Sequence, residues 1–80
     1  MTRVLICGIG GQDASFLAQH LLNKRCEVWG TSRDAESGRL SNLDRLGIAN
    51  HVKVISMEPS DFRSVFTAVD RAQPDAMHYL

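Results

Sequence analysis

Apolar residues follow two alternating patterns along the chain, short continuous runs and helical stripes. The segment Arg3–Cys7 carries a continuous apolar run that stops at Gly8, as a strand buried on both faces does. From Gly11 onward, apolar residues recur at the three- and four-residue spacing of an amphipathic helix. These residues are Ala14, Leu17, Ala18, Leu21 and Leu22. The pattern therefore predicts a strand, a glycine turn, a helix and then a second strand from about Glu27 to Ser32.

The same alternation continues through the second half of the chain. A polar stretch with leucines at every third position predicts a short helix near Ser41–Leu46, and Val52–Met57 is the third predicted strand. Ser60 is the candidate N-cap of a further helix, which Pro74 ends. Its predicted apolar stripe is Phe62, Val65, Phe66 and Val69, and we expect the phenylalanines and Trp29 to lie in the core. Residues Ala76–Leu80 are predicted to form the beginning of a fourth strand.

Strands that alternate with helices in this way favour an α/β fold with a parallel sheet and right-handed crossovers. The order β-α-β-(α)-β-α-β is typical of the N-terminal part of a Rossmann-type doubly wound sheet. Because the chain stops within an apolar strand, we expect residues 1–80 to be the N-terminal part of an incomplete dinucleotide-binding domain. We expect the rest of the domain and the substrate region to lie outside these residues.

Composition narrows the possible partners. The 80 residues contain nine Lys and Arg against nine Asp and Glu, so the formal net charge is zero. This balance argues against nucleic-acid and polybasic membrane surfaces, and the longest apolar run is far shorter than the ~20 residues of a membrane helix. The three histidines fall on separate predicted elements, which does not favour a metal site. We expect a cytoplasmic protein with no nucleic-acid or membrane partner.

The junction between the first strand and the first helix is the candidate binding site. Its spacing is Gly8-x-x-Gly11-x-x-Ala14. Glycines let the backbone turn sharply and approach a phosphate, while free N–H groups at a helix N-terminus supply donors. The candidate pyrophosphate-binding residues are Gly8, Ile9, Gly10, Gly11, Gln12 and Asp13. A purely structural turn is the alternative interpretation, and the Lys and Ser/Thr of a nucleotide-binding P-loop are missing here.

Two charged residues at the ends of later strands bear on the choice of cofactor. NAD-binding sites place an acid near the end of the second strand, whereas Arg33 stands there and suits the 2′-phosphate of NADP. An ordinary surface arginine is the alternative. Glu58 follows the third strand, where such folds place an acid near the adenine, and a solvated loop glutamate is its alternative. We expect the Asp13 carboxylate to accept hydrogen bonds from the amides of the loop or of the first helical turn.

These residues resemble the extended short-chain dehydrogenase/reductase family and, more narrowly, the GDP-mannose 4,6-dehydratases. The resemblance is carried by the run from Leu5 to Ala14, in which Gln12-Asp13 is the discriminating pair. It continues through Glu27–Gly30, Thr31–Arg33, Gly38–Leu40, Asp61 and Gln73–Asp75. The sequence departs from the family pattern at Gly10, Ala14, Asp34 and Glu58, and Asp34 puts the strength of 2′-phosphate binding in question.

The resemblance implies a role for each candidate residue. The Gly8–Asp13 loop would hold the pyrophosphate of NADP and Arg33 its 2′-phosphate. Glu58 and Pro59 would flank the adenine, and Leu80 would begin the loop beneath the nicotinamide. In the full-length protein, a homo-oligomer would convert a GDP-sugar, GDP-mannose, to GDP-4-keto-6-deoxymannose. The family's catalytic Tyr-x-x-x-Lys pair, Ser/Thr and Glu would lie beyond residue 80, so this chain alone is expected to be inactive.

Two other functions stay open from the sequence. One is another NADP-dependent sugar-nucleotide epimerase or reductase, against which the Gln12-Asp13 pair speaks because many epimerases carry an apolar pair there. The other is a non-catalytic dinucleotide-binding fragment, in which binding is the whole function.

Overall fold

A computed structural model describes residues 1–33 and 40–79 of the chain. Four parallel strands form one sheet in the order β3-β2-β1-β4, with helices on both faces. The elements are β1 (Arg3–Cys7), α1 (Gln12–Asn23), β2 (Glu27–Ser32), α2 (Ser41–Leu46), a 3₁₀ turn (Ala49–His51), β3 (Val52–Ser56), α3 (Phe62–Ala72) and β4 (Ala76–Tyr79). This arrangement confirms the predicted α/β class with a parallel, Rossmann-type sheet.

The sheet has a topological switch point at β1. The chain runs outward from β1 to β2 and β3, then returns to place β4 on the other side of β1. Cys7, the last residue of β1, is in register with Thr31 of β2 and with Tyr79 of β4. The carboxyl ends of three strands therefore meet at one edge, where sheets of this type bind their ligands.

Alternate residues of the central strands belong to two separate core clusters, one on each face of the sheet. The cluster on the side of α1 and α2 includes Val4, Ile6, Val28, Val52, Ala14, Ala18 and Leu43. The cluster on the side of α3 includes Leu5, Cys7, Ile55, Met57, Ala68 and Ala72. Residues Val4 to Cys7 are all buried, because β1 is covered on both faces and paired on both edges.

The prediction that the phenylalanines form part of the core is wrong. Phe62 is 81% exposed, Phe66 is 63% exposed and Phe16 is 49% exposed. Helix α3 instead buries Ala68 and Ala72 against the sheet, since small side chains let the helix axis approach closely. The rings of Phe62 and Phe66 stack on the outside with centroids 6.4 Å apart. Trp29 packs at the margin of the α3-side cluster and is only partly buried.

The N-cap of α3 is Asp61 and not the predicted Ser60. The Asp61 carboxylate accepts a 3.0 Å hydrogen bond from the N–H of Arg63, which satisfies one of the first free amides of the helix. The Ser60 hydroxyl instead donates to Glu58. Both residue types cap helices well, so their order in the sequence does not decide between them.

An ion cluster lies at the amino edge of the sheet. The Glu27 carboxylate accepts a hydrogen bond from Trp29 Nε1 at 2.8 Å and pairs with Arg3 and Lys53 at 3.0 and 3.3 Å. The bond from Trp29, followed by the charges of Lys53 and Arg3, lowers the pKa of Glu27 from its usual value. In the described part of the chain, no helix is long and apolar enough to cross a membrane.

Candidate dinucleotide-binding site

The glycine loop leaves β1 through a turn that requires a glycine. Gly8 has a φ of 84°, in the left-handed region that residues with a Cβ rarely adopt. Its N–H donates to the carbonyl of Thr31 at 3.1 Å and lies 3.3 Å from Thr31 Oγ1, while the N–H of Ile9 donates to the same carbonyl at 2.9 Å. The start of the loop is therefore attached to the end of the neighbouring strand β2.

Ile9 anchors the loop in the core. Its side chain is fully buried in the cluster beneath α1, directly against the backbone of Gly30 in β2. A Cβ added to Gly30 would lie 2.6 Å from both Cβ and Cγ1 of Ile9, far inside van der Waals contact. Because the Ile9 side chain is buried and its N–H is bonded to Thr31, the structure gives this residue a positioning part in the predicted site.

The amino end of α1 presents unpaired backbone donors. The helix begins after Gly11, which caps it without a side-chain hydrogen bond. Within the described residues, the N–H groups of Gly10, Gln12, Asp13 and Ala14 have no hydrogen-bond acceptor. Gln12, Asp13 and Ala14 line a shallow cleft in front of the helix, together with Gly8 and Gly11. Unpaired amides and the positive end of the helix dipole together favour an anion such as a pyrophosphate.

Asp13 differs from expectation in its contacts. The carboxylate is exposed in the first turn of α1, and across residues 1–33 and 40–79 it accepts no hydrogen bond from the loop. The predicted bond to backbone amides is therefore wrong. A carboxylate in a first helical turn is favoured by the helix dipole alone, which needs no specific hydrogen bond.

Helix α2 holds the loop from its other side. The Asn42 Nδ2 donates to the carbonyl of Gly10 at 2.9 Å, and Asn42 Oδ1 accepts from Arg45 Nη2. Arg45 thereby fixes the orientation of the amide, so that its NH₂ group faces Gly10. The sequence analysis missed Asn42, because no local pattern shows that α2 packs beside a loop far earlier in the chain.

Arg33 and Glu58 meet across the carboxyl edge of the sheet. Arg33 follows β2, Glu58 follows β3, and Arg33 Nε lies 3.1 Å from Glu58 Oε2. Glu58 is held in turn by two serines: its Oε1 accepts from the Ser60 hydroxyl at 3.1 Å, and its N–H donates to Ser64 Oγ at 2.8 Å. Both charged side chains remain substantially exposed.

A second cleft lies at the carboxyl edge of the sheet and shares Gly8 with the cleft in front of α1. It is lined by Cys7, Gly8, Thr31, Ser32, Arg33, Met57, Pro59 and Tyr79. The structure thus brings Gly8, Arg33 and Pro59 to one cleft, and it pairs Glu58 with Arg33, a contact that the sequence did not predict. The predicted contact at Leu80 lies outside the described residues, as do Asp34 and Arg39.

A glycine turn with free amides, at the switch point of a parallel α/β sheet, defines the Rossmann-type class of dinucleotide-binding proteins. The family model described as GDP-mannose 4,6 dehydratase matches residues 5–80. The chain belongs to the GDP-mannose 4,6-dehydratase family, which confirms the family resemblance found in the sequence.

Individual relatives agree with this assignment. A GDP-mannose 4,6-dehydratase of Yersinia enterocolitica is 32% identical over 85 aligned positions, which cover 100% of this chain and 23% of that protein. One from Vibrio cholerae is 31% identical over 98% of this chain and 22% of its own length. The chain therefore spans about a quarter of the length of the curated relatives it matches.

A solved structure shows the same fold. The crystal structure of the Bordetella bronchiseptica enzyme WbmH in complex with NAD+ superposes with a TM-score of 0.77 at 29% identity. The match covers 100% of this chain and 25% of the WbmH chain.

Proposed function

We propose that residues 1–80 form the NADP-binding segment of a GDP-mannose 4,6-dehydratase. The observation that carries this proposal is that Arg33 lines the same cleft as Gly8 of the glycine loop. A cation at the end of β2 faces the position where this fold class holds the adenosine ribose. The planar guanidinium matches a phosphate better than it matches a ribose hydroxyl.

Different residues of the site would bind different parts of the dinucleotide. The free amides of Gly10, Gln12 and Asp13 would bind the pyrophosphate, and Arg33 would bind the 2′-phosphate. Glu58 and Pro59 would border the adenine. Leu80, at the end of the fourth strand, would begin the loop beneath the nicotinamide.

NAD is the second candidate cofactor, and two observations favour it. Glu58 neutralises part of the Arg33 charge through the 3.1 Å ion pair, and the solved relative WbmH carries NAD+. We favour NADP because the carboxylate that NAD sites place at the end of the second strand is replaced here by Arg33.

In the whole protein, the proposed reaction moves a hydride from C4 of the hexose to the cofactor, loses water across C5–C6 and returns the hydride to C6. The described residues bind and orient the dinucleotide for that reaction. The catalytic groups are proposed to lie outside them, so this chain alone would show no turnover. GDP-mannose is the proposed substrate, homo-oligomers the proposed assembly and the cytoplasm the proposed location. An epimerase or reductase of the same family and a non-catalytic binding fragment are the alternatives.

Removal of the Arg33 charge tests the cofactor assignment. A charge-assisted hydrogen bond contributes about 1.5–3 kcal/mol, so Arg33→Ala in the intact protein should weaken NADPH binding by roughly 10- to 150-fold. NADH binding, measured in parallel by titration calorimetry, should change by no more than about twofold. Arg71→Ala is the matched control, since Arg71 is an exposed arginine in the last turn of α3. Equal losses for NADPH and NADH would contradict the proposal.

A further inference from the structure

We infer that Glu58 sets how strongly this site discriminates a 2′-phosphorylated adenosine from an unphosphorylated one, by competing for Arg33. The inference rests on the proposed function and extends it to a residue on a different strand. Arg33 supplies the attraction for the phosphate, and Glu58 limits it.

The geometry places the carboxylate on one side of the guanidinium. Glu58 Oε2 contacts Nε of Arg33 at 3.1 Å, so the terminal nitrogens Nη1 and Nη2 extend beyond the pair. The Arg33 side chain is 76% exposed, which leaves that end accessible to a ligand. The guanidinium can therefore bind a phosphate at its far end while Glu58 still holds its near end.

The carboxylate is not free to swing away. Its second oxygen accepts a 3.1 Å hydrogen bond from Ser60, and the backbone N–H of Glu58 is bonded to Ser64 at 2.8 Å. Ser64 lies in the first turn of α3, which Asp61 caps. The helix start thus holds the Glu58 backbone, and Ser60 holds one carboxylate oxygen, so this arrangement favours a negative charge beside Arg33.

In this arrangement, the repulsion between Glu58 and a bound phosphate outweighs the benefit of Glu58 holding Arg33 in position. With hydrogen bonds of about 2.8 Å on either side of the guanidinium, a phosphate on the terminal nitrogens would lie roughly 6 Å from the Glu58 carboxylate. At that distance, in salt-containing solvent, the repulsion of a doubly charged phosphate changes its affinity by about three- to tenfold. Holding Arg33 in place through an exposed ion pair contributes only about twofold.

The test uses the adenosine halves of NADP and NAD, which differ only in the 2′-phosphate. Adenosine 2′,5′-bisphosphate and adenosine 5′-monophosphate are titrated into the intact protein and into Glu58→Gln, which removes the charge but keeps the length of the side chain and one acceptor oxygen. Contacts to adenine affect both probes, so they cancel in the ratio of the two affinities. We expect Glu58→Gln to raise the preference for the bisphosphate by about three- to tenfold, with a smaller gain at high salt.

Matched variants separate the possible outcomes. Asp70→Asn removes one negative charge near the far end of α3, and it should leave the ratio unchanged. If the preference for the bisphosphate falls in Glu58→Gln, Glu58 acts by positioning Arg33. If it does not change, Glu58 neither repels the phosphate nor positions Arg33. Both results overturn the inference. Arg33→Ala is also introduced into the unmodified protein and into Glu58→Gln. If it changes the ratio of the two affinities in neither background, the NADP assignment itself fails. If Arg33→Ala lowers the ratio while Glu58→Gln does not raise it, only the inference about Glu58 fails.

Discussion

Gly30→Ala perturbs the glycine loop from underneath, through a residue that lines neither cleft of the candidate site. The new Cβ would lie 2.6 Å from Cβ and Cγ1 of Ile9 and 3.0 Å from its Cγ2. Carbon atoms pack at about 3.5–4.0 Å, so Ile9 would have to move by roughly 1 Å. Ile9 resists that movement because its side chain is fully buried and its N–H is bonded to Thr31.

The expected cost follows from two opposing effects. Overpacking of a well-packed core costs about 1–3 kcal/mol, and a clash with three carbons places Gly30→Ala near the upper end. Replacing glycine by alanine restricts the unfolded chain and returns about 0.4–1 kcal/mol. We therefore expect a net loss of about 2 kcal/mol in the free energy of unfolding. The displaced loop should also bind dinucleotides more weakly.

Urea unfolding followed by far-ultraviolet circular dichroism measures this loss. Gly10→Ala is the control, because a Cβ at Gly10 meets only the Leu40 side chain at an ordinary 3.6 Å. Its free energy of unfolding should differ from that of the unmodified protein by less than about 1 kcal/mol. If Gly30→Ala proved as stable as Gly10→Ala, the argument that Ile9 anchors the loop would be refuted.

Three further predictions concern the loop and the ion cluster. Gly8→Val should abolish binding of both NADPH and NADH, because valine does not tolerate a φ of 84°; titration that finds binding retained would remove the loop from the site. Asn42→Ala should weaken both cofactors by about 2- to 10-fold through loss of one hydrogen bond to Gly10, and unchanged affinities would contradict that positioning role. Glu27 has a lowered pKa in the folded state, so its stabilisation is present above the unfolded pKa of about 4.3 and is lost as the pH falls below it. Between pH 5 and 3 the unmodified protein should lose more stability than Glu27→Gln, and equal losses in acid would show that the cluster does not stabilise the fold.

The sequence predicted the backbone pattern well, because each element has a local signal. The bounds of β1, β2 and α2 agree with the structure, since apolar runs and leucine spacing are interrupted by glycine or polar residues there. The expected burial of Phe62 and Phe66 failed for a physical reason. Periodicity identifies a helix, but packing decides which stripe faces the sheet. Here that stripe consists of Ala68 and Ala72 with the partly buried Val65 and Val69, so the valines of the predicted stripe contact the core and its phenylalanines do not.

The site was only partly predictable for a related reason. The glycine turn is a contiguous motif, so its position between β1 and α1 follows directly from the sequence. The Arg33–Glu58 pair and the Asn42 bond to Gly10 join residues far apart in the chain. Arg33 and Glu58 meet only because β2 and β3 are neighbours with their carboxyl ends at the same edge, which depends on strand order and register.

A crystal structure of the intact protein grown with NADP tests the central claim most directly. The account predicts the pyrophosphate against the amides of Gly10, Gln12 and Asp13, and the 2′-phosphate within hydrogen-bond distance of the Arg33 guanidinium. A dinucleotide bound away from the glycine loop would contradict the site. A bound dinucleotide whose 2′-phosphate faces solvent, with Arg33 engaged only by Glu58, would contradict the choice of NADP.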